Sequence, residues 1–238
     1  MRSYKYLARH LGVFKKNTMN FLDILQKRET TFTWSDEKVD KHLIAEILST
    51  VVEHAPSKQN RRTVQIDILD WSNEQLRKDL FSLTHRDDDL TVEEDQGNPQ
   101  MLAPVLLVFS PRETSKDLFG YESNEEMQTH KRNTHLEAGI ISASCVYALT
   151  EAGYDTGYCK CWPMIEVQGV DLDGERDALL ALQKKLKLPY EPILFVGVGY
   201  KGNEKEYFDP RINKNRPIPT HGVKPTPPKT EKVVIVRD

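Results

Sequence analysis

The sequence predicts a mixed fold of the α+β or α/β class, in which helices pack on a β-sheet. Segments with apolar residues at helical spacing alternate with short strand-like segments along the 238 residues. Two of the strand-like segments, 103–109 and 191–200, are almost continuously apolar. Because such runs are typical of strands covered on both faces, we expect them to be buried strands, with 103–109 at the centre of the sheet.

Composition and charge exclude several classes of protein. The chain is 38% hydrophobic and 29% charged, which is typical of globular domains, and its formal net charge of −3 argues against bulk electrostatic binding of nucleic acid. No apolar run approaches the roughly 20 residues needed to cross a bilayer. The basic start is not followed by the apolar core of a secretory signal, so we expect neither membrane insertion nor secretion.

The cysteines favour a reducing compartment and no structural metal. There are three, at positions 145, 159 and 161, which is too few and too uneven for a disulfide framework. Cys159 and Cys161 are too close together, and too alone, for a four-ligand zinc site. We therefore expect a cytoplasmic protein without a metal site.

The first part of the chain carries two adjacent cations at a helix end. Residues 1–18 read as an accessory extension with a short apolar face. A helix capped by Asn20 then leads to Lys27 and Arg28, before a Thr-rich run that favours extended backbone. Because cations suit a helix C-terminus, a solvated helix end and an anion-binding role are both open for this pair.

The next helix leads into a turn that could hold a ligand. Its apolar stripe runs from Val39 to Val52, with Ser35 as the expected cap, and it should stop before Pro56. In the turn Ala55–Asn60, Ser57 and Asn60 could hydrogen-bond the edge of a planar polar ligand. An ordinary helix-to-strand turn is the alternative.

The remaining elements follow from periodicity. Alternating apolar residues predict a half-buried strand over 64–69, a helix over 73–83 and a strong helix over 133–151. Small residues in the last of these permit close helix packing. The glycines of 153–159 predict a turn, and a short apolar segment at 233–236 is expected to add to a sheet edge.

Taken in order, these landmarks resemble the nitroreductase-like flavoproteins. The resemblance spans about residues 19–217 and rests on six stretches: 19–28, the Ala-Pro-Ser-x-x-Asn turn 55–60, the Ala-Pro-Val start of 103–109, the Gly139 helix with Gly153-Tyr154, the Gly197/Gly199 strand, and Lys214-x-Arg216. It implies an α+β, three-layer α-β-α sandwich with a central, mostly antiparallel sheet. It also implies that 218–238 is a C-terminal extension whose strand is exchanged with the partner subunit.

The resemblance further implies FMN bound at a homodimer interface. The cations that it implies for the phosphate or ribityl end are Lys27, Arg28, Lys214 and Arg216. It implies that Ser57 and Asn60 meet the pyrimidine edge of the flavin and that Gly157 offers backbone contacts to the ring. The residues expected to line the substrate face, or else to be ordinary core residues, are Phe119, Tyr121, Tyr158 and Trp162.

Three positions depart from the family pattern. Glu29 stands where a small hydroxyl residue is common, and Thr31 stands where a cation is common. Arg62 follows the turn at a place where Gln-Pro is frequent. We hypothesise that Arg62 compensates for Thr31 by stabilising the anionic reduced flavin.

The implied activity is that of an FMN-dependent oxidoreductase. NADH or NADPH would deliver a hydride to flavin N5, and a nitroaromatic, quinone or enone acceptor would then take it by ping-pong kinetics. No catalytic side chain is expected, since the flavin carries the chemistry. The alternatives are a specialised flavoprotein of the same fold, either a reductive dehalogenase or a flavin-cleaving enzyme, and a non-catalytic flavin carrier or sensor.

Overall fold

The computed structural model describes residues 20–57, 60–82, 97–112, 124–159, 180–181, 183–187 and 192–218. The helices with defined bounds are α1 (Phe21–Lys27), α2 (Lys41–His54), α3 (Glu74–Ser82) and α4 (Asn124–Glu151). The strands are β1 (Val64–Asp70), β2 (Val105–Pro111), β3 (Asp155–Cys159), β4 (Leu194–Gly199), β5 (Glu206–Asp209) and β6 (Lys214–Pro217). The predicted extension 1–18, the segment 219–238 and the residues Phe119, Tyr121 and Trp162 lie outside the described ranges.

The main sheet has four antiparallel strands in the order β1-β2-β4-β3. Every residue of β4, and every residue of β2 except its last, is buried, which confirms the two buried strands expected from their apolar sequences. The edge strand β1 is only partly buried, as its alternating sequence predicts.

Helices cover both faces of this sheet. Val105, Leu107 and Phe109 of β2 face a core cluster shared with α2 and α4. The alternate residues Leu106 and Val108 face a second cluster that includes the side chains of α3. Because successive strand residues point to opposite faces, one apolar strand supplies both cores. The prediction of an α+β fold with a central antiparallel sheet is confirmed.

The prediction of a turn over 153–159 is wrong for most of these residues. Only Gly153 has the positive φ of a turn, at +93°, and residues 155–159 form the edge strand β3. Asp155 pairs with Gly199 and Cys159 with Phe195. The glycines suggested a turn, but the unpaired edge of β4 provides a hydrogen-bonding partner that local sequence does not reveal.

Two helix starts and one hairpin also differ from expectation. The helix α2 begins at Lys41 because the Asp40 carboxylate accepts from the backbone N–H of the second and third helical residues; Ser35 is not its cap. The helix α4 begins at 124, nine residues before the predicted start. The strands β5 and β6 form a hairpin whose polar sequence gives no alternating signal.

A buried arginine joins the edge of the sheet to the segment before β2. The Arg77 side chain on α3 is fully buried and donates to the carbonyls of Leu69 (3.2 Å), Met101 (2.7 Å) and Ala103 (2.6 Å). Burial lowers the pKa of Arg77 to about 9, so the guanidinium is still charged at neutral pH. Its cation lies 4.5 Å from the centre of the Trp71 ring.

The glycines of β4 allow close packing with the protein's own residues. A Cβ at Gly197 would lie 2.3 Å from the Gln100 carbonyl oxygen and 2.8 Å from the Cβ of Ala103. The Trp34 ring lies against the same strand, and its indole N–H donates to the Pro99 carbonyl at 3.1 Å. The space beside these glycines, where the sequence predicted a close contact, is therefore filled by the protein's own residues.

We expect Gly197→Ala to lower the free energy of unfolding by about 1–3 kcal/mol, because the added methyl group overlaps a backbone oxygen. Urea unfolding at fixed protein concentration measures this change. The matched control is Gly139→Ala, whose added methyl group meets no atom of the described residues outside its own stretch of helix within 4 Å and should not destabilise the protein. Equal effects of the two substitutions would contradict the packing account.

Candidate functional site

The two cations of the first helix lie at one corner of the sheet. Lys27 is the last residue of α1 and Arg28 is its C-cap, and both are exposed. The chain then runs along the outer edge of β3, where the Thr31 N–H donates to the Thr156 carbonyl at 2.9 Å. Among the described residues, neither Lys27 nor Arg28 forms an ion pair, which leaves both charges available to an anion.

The acid that departs from the family pattern has a cationic partner. The Glu29 carboxylate forms an ion pair with the Lys201 ammonium group. The backbone N–H of Lys201 donates to the Asp155 carboxylate at 2.8 Å, which holds this segment against the start of β3. The repulsion between Glu29 and a phosphate is therefore reduced, because Lys201 neutralises the carboxylate.

Gly157 makes its close contacts with the protein itself. A Cβ at this position would lie 2.5 Å from the Thr31 carbonyl oxygen and 2.8 Å from Cγ of Gln100. In the sheet, Gly157 is paired with Gly197 of β4. Flavin contact through its backbone remains a prediction, and the described reason for a glycine here is packing against residues 31 and 100.

The Ser57 turn is anchored by a buried carboxylate that sequence reasoning did not identify. The Ser57 hydroxyl donates to Oε2 of Glu137 at 3.0 Å and accepts from the Arg62 N–H at 2.8 Å. The Thr63 N–H donates to the other oxygen, Oε1, at 2.7 Å. Glu137 lies on α4 and is only 5% exposed. The one available signal was an acid within the apolar face of that helix.

The other two predicted residues of the turn have left-handed backbone. Asn60 has φ of +55° and Arg62 has φ of +50°, and both are exposed. The Arg62 guanidinium donates to the Glu53 carbonyl, at 3.2 Å, in the last turn of α2. This contact satisfies a free carbonyl at a helix end. The structure therefore places Arg62 on the helix end, and its predicted role toward the flavin stays a hypothesis.

The C-terminal cations differ in how free they are. Lys214 is exposed, whereas Arg216 is only 9% exposed, with its Nε 3.4 Å from Oδ2 of Asp209. Arg211 also binds Asp209, at 2.7 Å. Burial by itself would raise the pKa of Asp209, but hydrogen bonds from Arg211 and the charges of both arginines lower it overall. A phosphate would therefore have to compete with Asp209 for Arg216.

Tyr158 is the one predicted substrate-face residue within the described ranges. It is 41% exposed, and its hydroxyl lies 3.4 Å from the Ser142 hydroxyl of α4. Its ring is therefore partly accessible on β3, and its role at the substrate face stays a prediction.

The strand register shows which predicted residues one chain brings together. The Lys27–Arg28 segment lies beyond β3 at the end of the sheet marked by Asp155 and Gly199. The Ser57 turn leads into Val64 at the opposite end and the opposite edge. Three strand spacings and about six residues of strand separate these corners, which is roughly 20–25 Å. One chain alone does not join the two halves of the predicted site.

A separate cleft of about 1010 Å³ lies among residues 33–39, 70–78 and 202–213. None of the eight predicted cofactor-binding residues lines it. Its lining includes six acids and two lysines, which disfavours a phosphate: Asp36, Glu37, Asp70, Glu74, Glu204, Glu206, Lys38 and Lys78. The hydrogen bonds from Lys41 and Ser72 lower the pKa of Asp70 to about 2, so that acid is charged at neutral pH.

Other kinds of site find no support in the described part of the chain. Its His, Cys, Asp and Glu residues form no group of three that could hold a metal ion. The Cys145 thiol is buried, which raises its pKa to about 12 and makes it a poor nucleophile. No described helix is both long and apolar enough to span a bilayer.

Comparisons with known proteins identify the fold and the family it matches. A model of the nitroreductase family matches residues 25–200. A search of curated proteins gives no significant match. Among solved structures, a nitroreductase family protein from Clostridium novyi NT has a TM-score of 0.52 at 15% identity, over 78% of this chain and 87% of that chain.

Two further structures show the same fold. The hypothetical oxidoreductase YcnD of Bacillus subtilis has a TM-score of 0.58 at 19% identity, over 80% of this chain and 71% of that chain. A candidate NAD(P)H:FMN oxidoreductase of Staphylococcus epidermidis has a TM-score of 0.54 at 12% identity, over 79% of this chain and 92% of that chain. At these identities the structures support the fold alone.

Proposed function

The chain belongs to the nitroreductase family of enzymes, and from this premise we propose that it is an FMN-dependent NAD(P)H oxidoreductase that works as a homodimer. The observation that carries the proposal is the pair Lys27 and Arg28, exposed at the corner beside β3 and without ion-pair partners among the described residues. Such a pair suits the phosphate of FMN.

The chemistry that FMN supplies in such a site is acceptance of a hydride at N5 from NADH or NADPH and its transfer to a nitroaromatic, quinone or enone. The chain's own residues bind and orient. In this proposal Lys27, Arg28 and Lys214 hold the phosphate end, with Arg216 joining them if it leaves Asp209. Ser57 and Asn60 bind the polar edge of the ring.

The smaller contributions in this proposal come from three positions. The Gly157 backbone would contact the ring, and Tyr158 would line the acceptor side beside it. Arg62 would act on the reduced flavin only after releasing its present bond to the Glu53 carbonyl. Its contribution is therefore the least supported by the observed contacts.

Two copies of the chain are needed because the half-sites lie at opposite corners of the sheet. The chain offers exposed apolar side chains for pairing: Phe21, Leu22 and Leu25 on α1, and Leu136 on α4, which is 66% exposed. Phe21 packs edge-on against Tyr147 of α4, so both helices contribute to one face. Burial of such a patch between subunits is favourable.

We further propose the domain organisation that the resemblance implies, with residues 19–217 as the flavin-binding domain, 1–18 as an accessory extension, and 218–238 as an extension whose strand is exchanged with the partner subunit. We also place the reaction in the cytoplasm, because the buried Cys145 thiol is free.

The visible spectrum of the purified protein, alone and after incubation with excess FMN, tests the proposal. We expect the absorption bands of a bound flavin, and we expect heating to release that flavin from the protein. We also expect steady NADH or NADPH consumption in the presence of a nitroarene or quinone. A protein that stays colourless after FMN soaking would overturn the cofactor. Bound flavin that neither nicotinamide reduces would overturn the activity.

A further inference from the structure

We propose that Glu137 fixes the direction of the Ser57 hydroxyl, so that Ser57 can only accept a hydrogen bond from the ligand. The ligand edge at Ser57 must then present an N–H group. This inference rests on the proposed function and deepens it, because in the isoalloxazine ring that group is N3–H.

The argument begins with the capacity of the hydroxyl group. A serine hydroxyl has one proton to donate and two lone pairs that accept. At Ser57 the proton is given to Oε2 of Glu137, at 3.0 Å, and one lone pair receives the Arg62 N–H, at 2.8 Å. One lone pair is left, and Ser57 is only partly buried, so a ligand can still reach it.

The carboxylate has no freedom to reverse this arrangement. An ionised carboxylate only accepts hydrogen bonds. Its second oxygen, Oε1, is taken by the Thr63 N–H at 2.7 Å, and the side chain is 5% exposed. Because buried polar atoms hold their partners strongly, Glu137 is a positioning residue that sets the donor direction of Ser57 and the shape of the turn together.

Glu137→Gln reverses the direction without changing the size of any side chain at the turn. The Thr63 N–H needs an acceptor, so the amide oxygen of glutamine must take the place of Oε1. The amide N–H then faces Ser57, whose hydroxyl accepts from it and from Arg62. The Ser57 hydroxyl proton is then free to point toward the ligand. There it faces the N3 proton, and the hydrogen bond from N3–H to Ser57 is lost.

The test compares the dissociation constants of FMN and of 3-methyl-FMN, which lacks the N3 proton, by flavin fluorescence. We expect the wild-type protein to prefer FMN by about tenfold or more, the worth of one lost hydrogen bond. In Glu137→Gln the preference should fall below about threefold through weaker FMN binding. Glu151→Gln, an exposed acid at the end of the same helix, is the matched control and should keep the wild-type preference.

A second variant keeps the test decisive if Glu137→Gln does not fold. Ser57→Cys retains a side chain of similar shape but is a weak acceptor, so it should also lose the preference. If the wild-type protein binds both flavins equally, or if the folded variants keep its preference, the inference is overturned and the proposed function stands. If it binds neither flavin, both are overturned.

Discussion

Replacing Arg77 with alanine is expected to lower the free energy of unfolding by about 3–5 kcal/mol. Three backbone carbonyls, at Leu69, Met101 and Ala103, would lose their donor in a fully buried site, and a cavity would form beside the Trp71 ring. These carbonyls belong to the end of β1 and to the segment before β2. Urea unfolding followed by circular dichroism measures the change.

One further variant separates the hydrogen bonds of Arg77 from its charge, and a substitution at the next residue serves as the control. Arg77→Lys keeps the charge but has a single ammonium group, so it should recover only part of the loss. Lys78→Ala, the next residue on the same helix, removes a partly exposed pair with Glu74 and should change stability by less than about 0.5 kcal/mol. An Arg77→Ala protein as stable as Lys78→Ala would contradict the bridging role.

Removing both Lys27 and Arg28 is expected to weaken FMN binding by about 10²–10⁴-fold, since each charged hydrogen bond contributes roughly 1.5–3 kcal/mol. Riboflavin, which lacks the phosphate, should bind the wild-type and the Lys27→Ala/Arg28→Ala proteins with similar affinity. The measured quantity is therefore, for each protein, the ratio of the dissociation constant of FMN to that of riboflavin. This ratio separates loss of phosphate binding from loss of the ring site.

The fold should tolerate that double substitution, because α1 is short and both side chains are exposed. An unchanged melting temperature would check this. Lys184→Ala, an exposed lysine far along the chain, removes the same kind of charge and should leave the ratio unchanged. If FMN and riboflavin weaken equally in the double variant, the phosphate lies elsewhere and Lys27 and Arg28 serve another purpose.

The sequence predicted the parts of the fold that depend on local periodicity. The apolar runs of β2 and β4 and the stripe of α2 correctly indicated buried elements. The strand β3 was predicted as a turn, because its partner β4 begins 35 residues after β3 ends and local sequence carries no sign of the pairing. Tertiary pairing overrode the local glycine signal.

The sequence predicted the cations and the turn of the candidate site, and not their partners. Lys27, Arg28 and Ser57 were proposed from motif and order, and their roles stay predictions. Glu137 lies 80 residues from Ser57, and a single acid in a helix gives no sign of which hydroxyl it will meet. The pairing of Glu29 with Lys201 across 172 residues is equally invisible to spacing, although it alters the charge beside Lys27 and Arg28.

In the proposed homodimer, the diagonal placement of the two half-sites would make cofactor retention depend on protein concentration. Dilution that separates the subunits would leave each chain with either phosphate-binding cations or a ring-binding turn within reach of one flavin. Dissociation of the dimer and release of the pigment would then be a single coupled equilibrium. By the same linkage, added FMN would hold the two chains together.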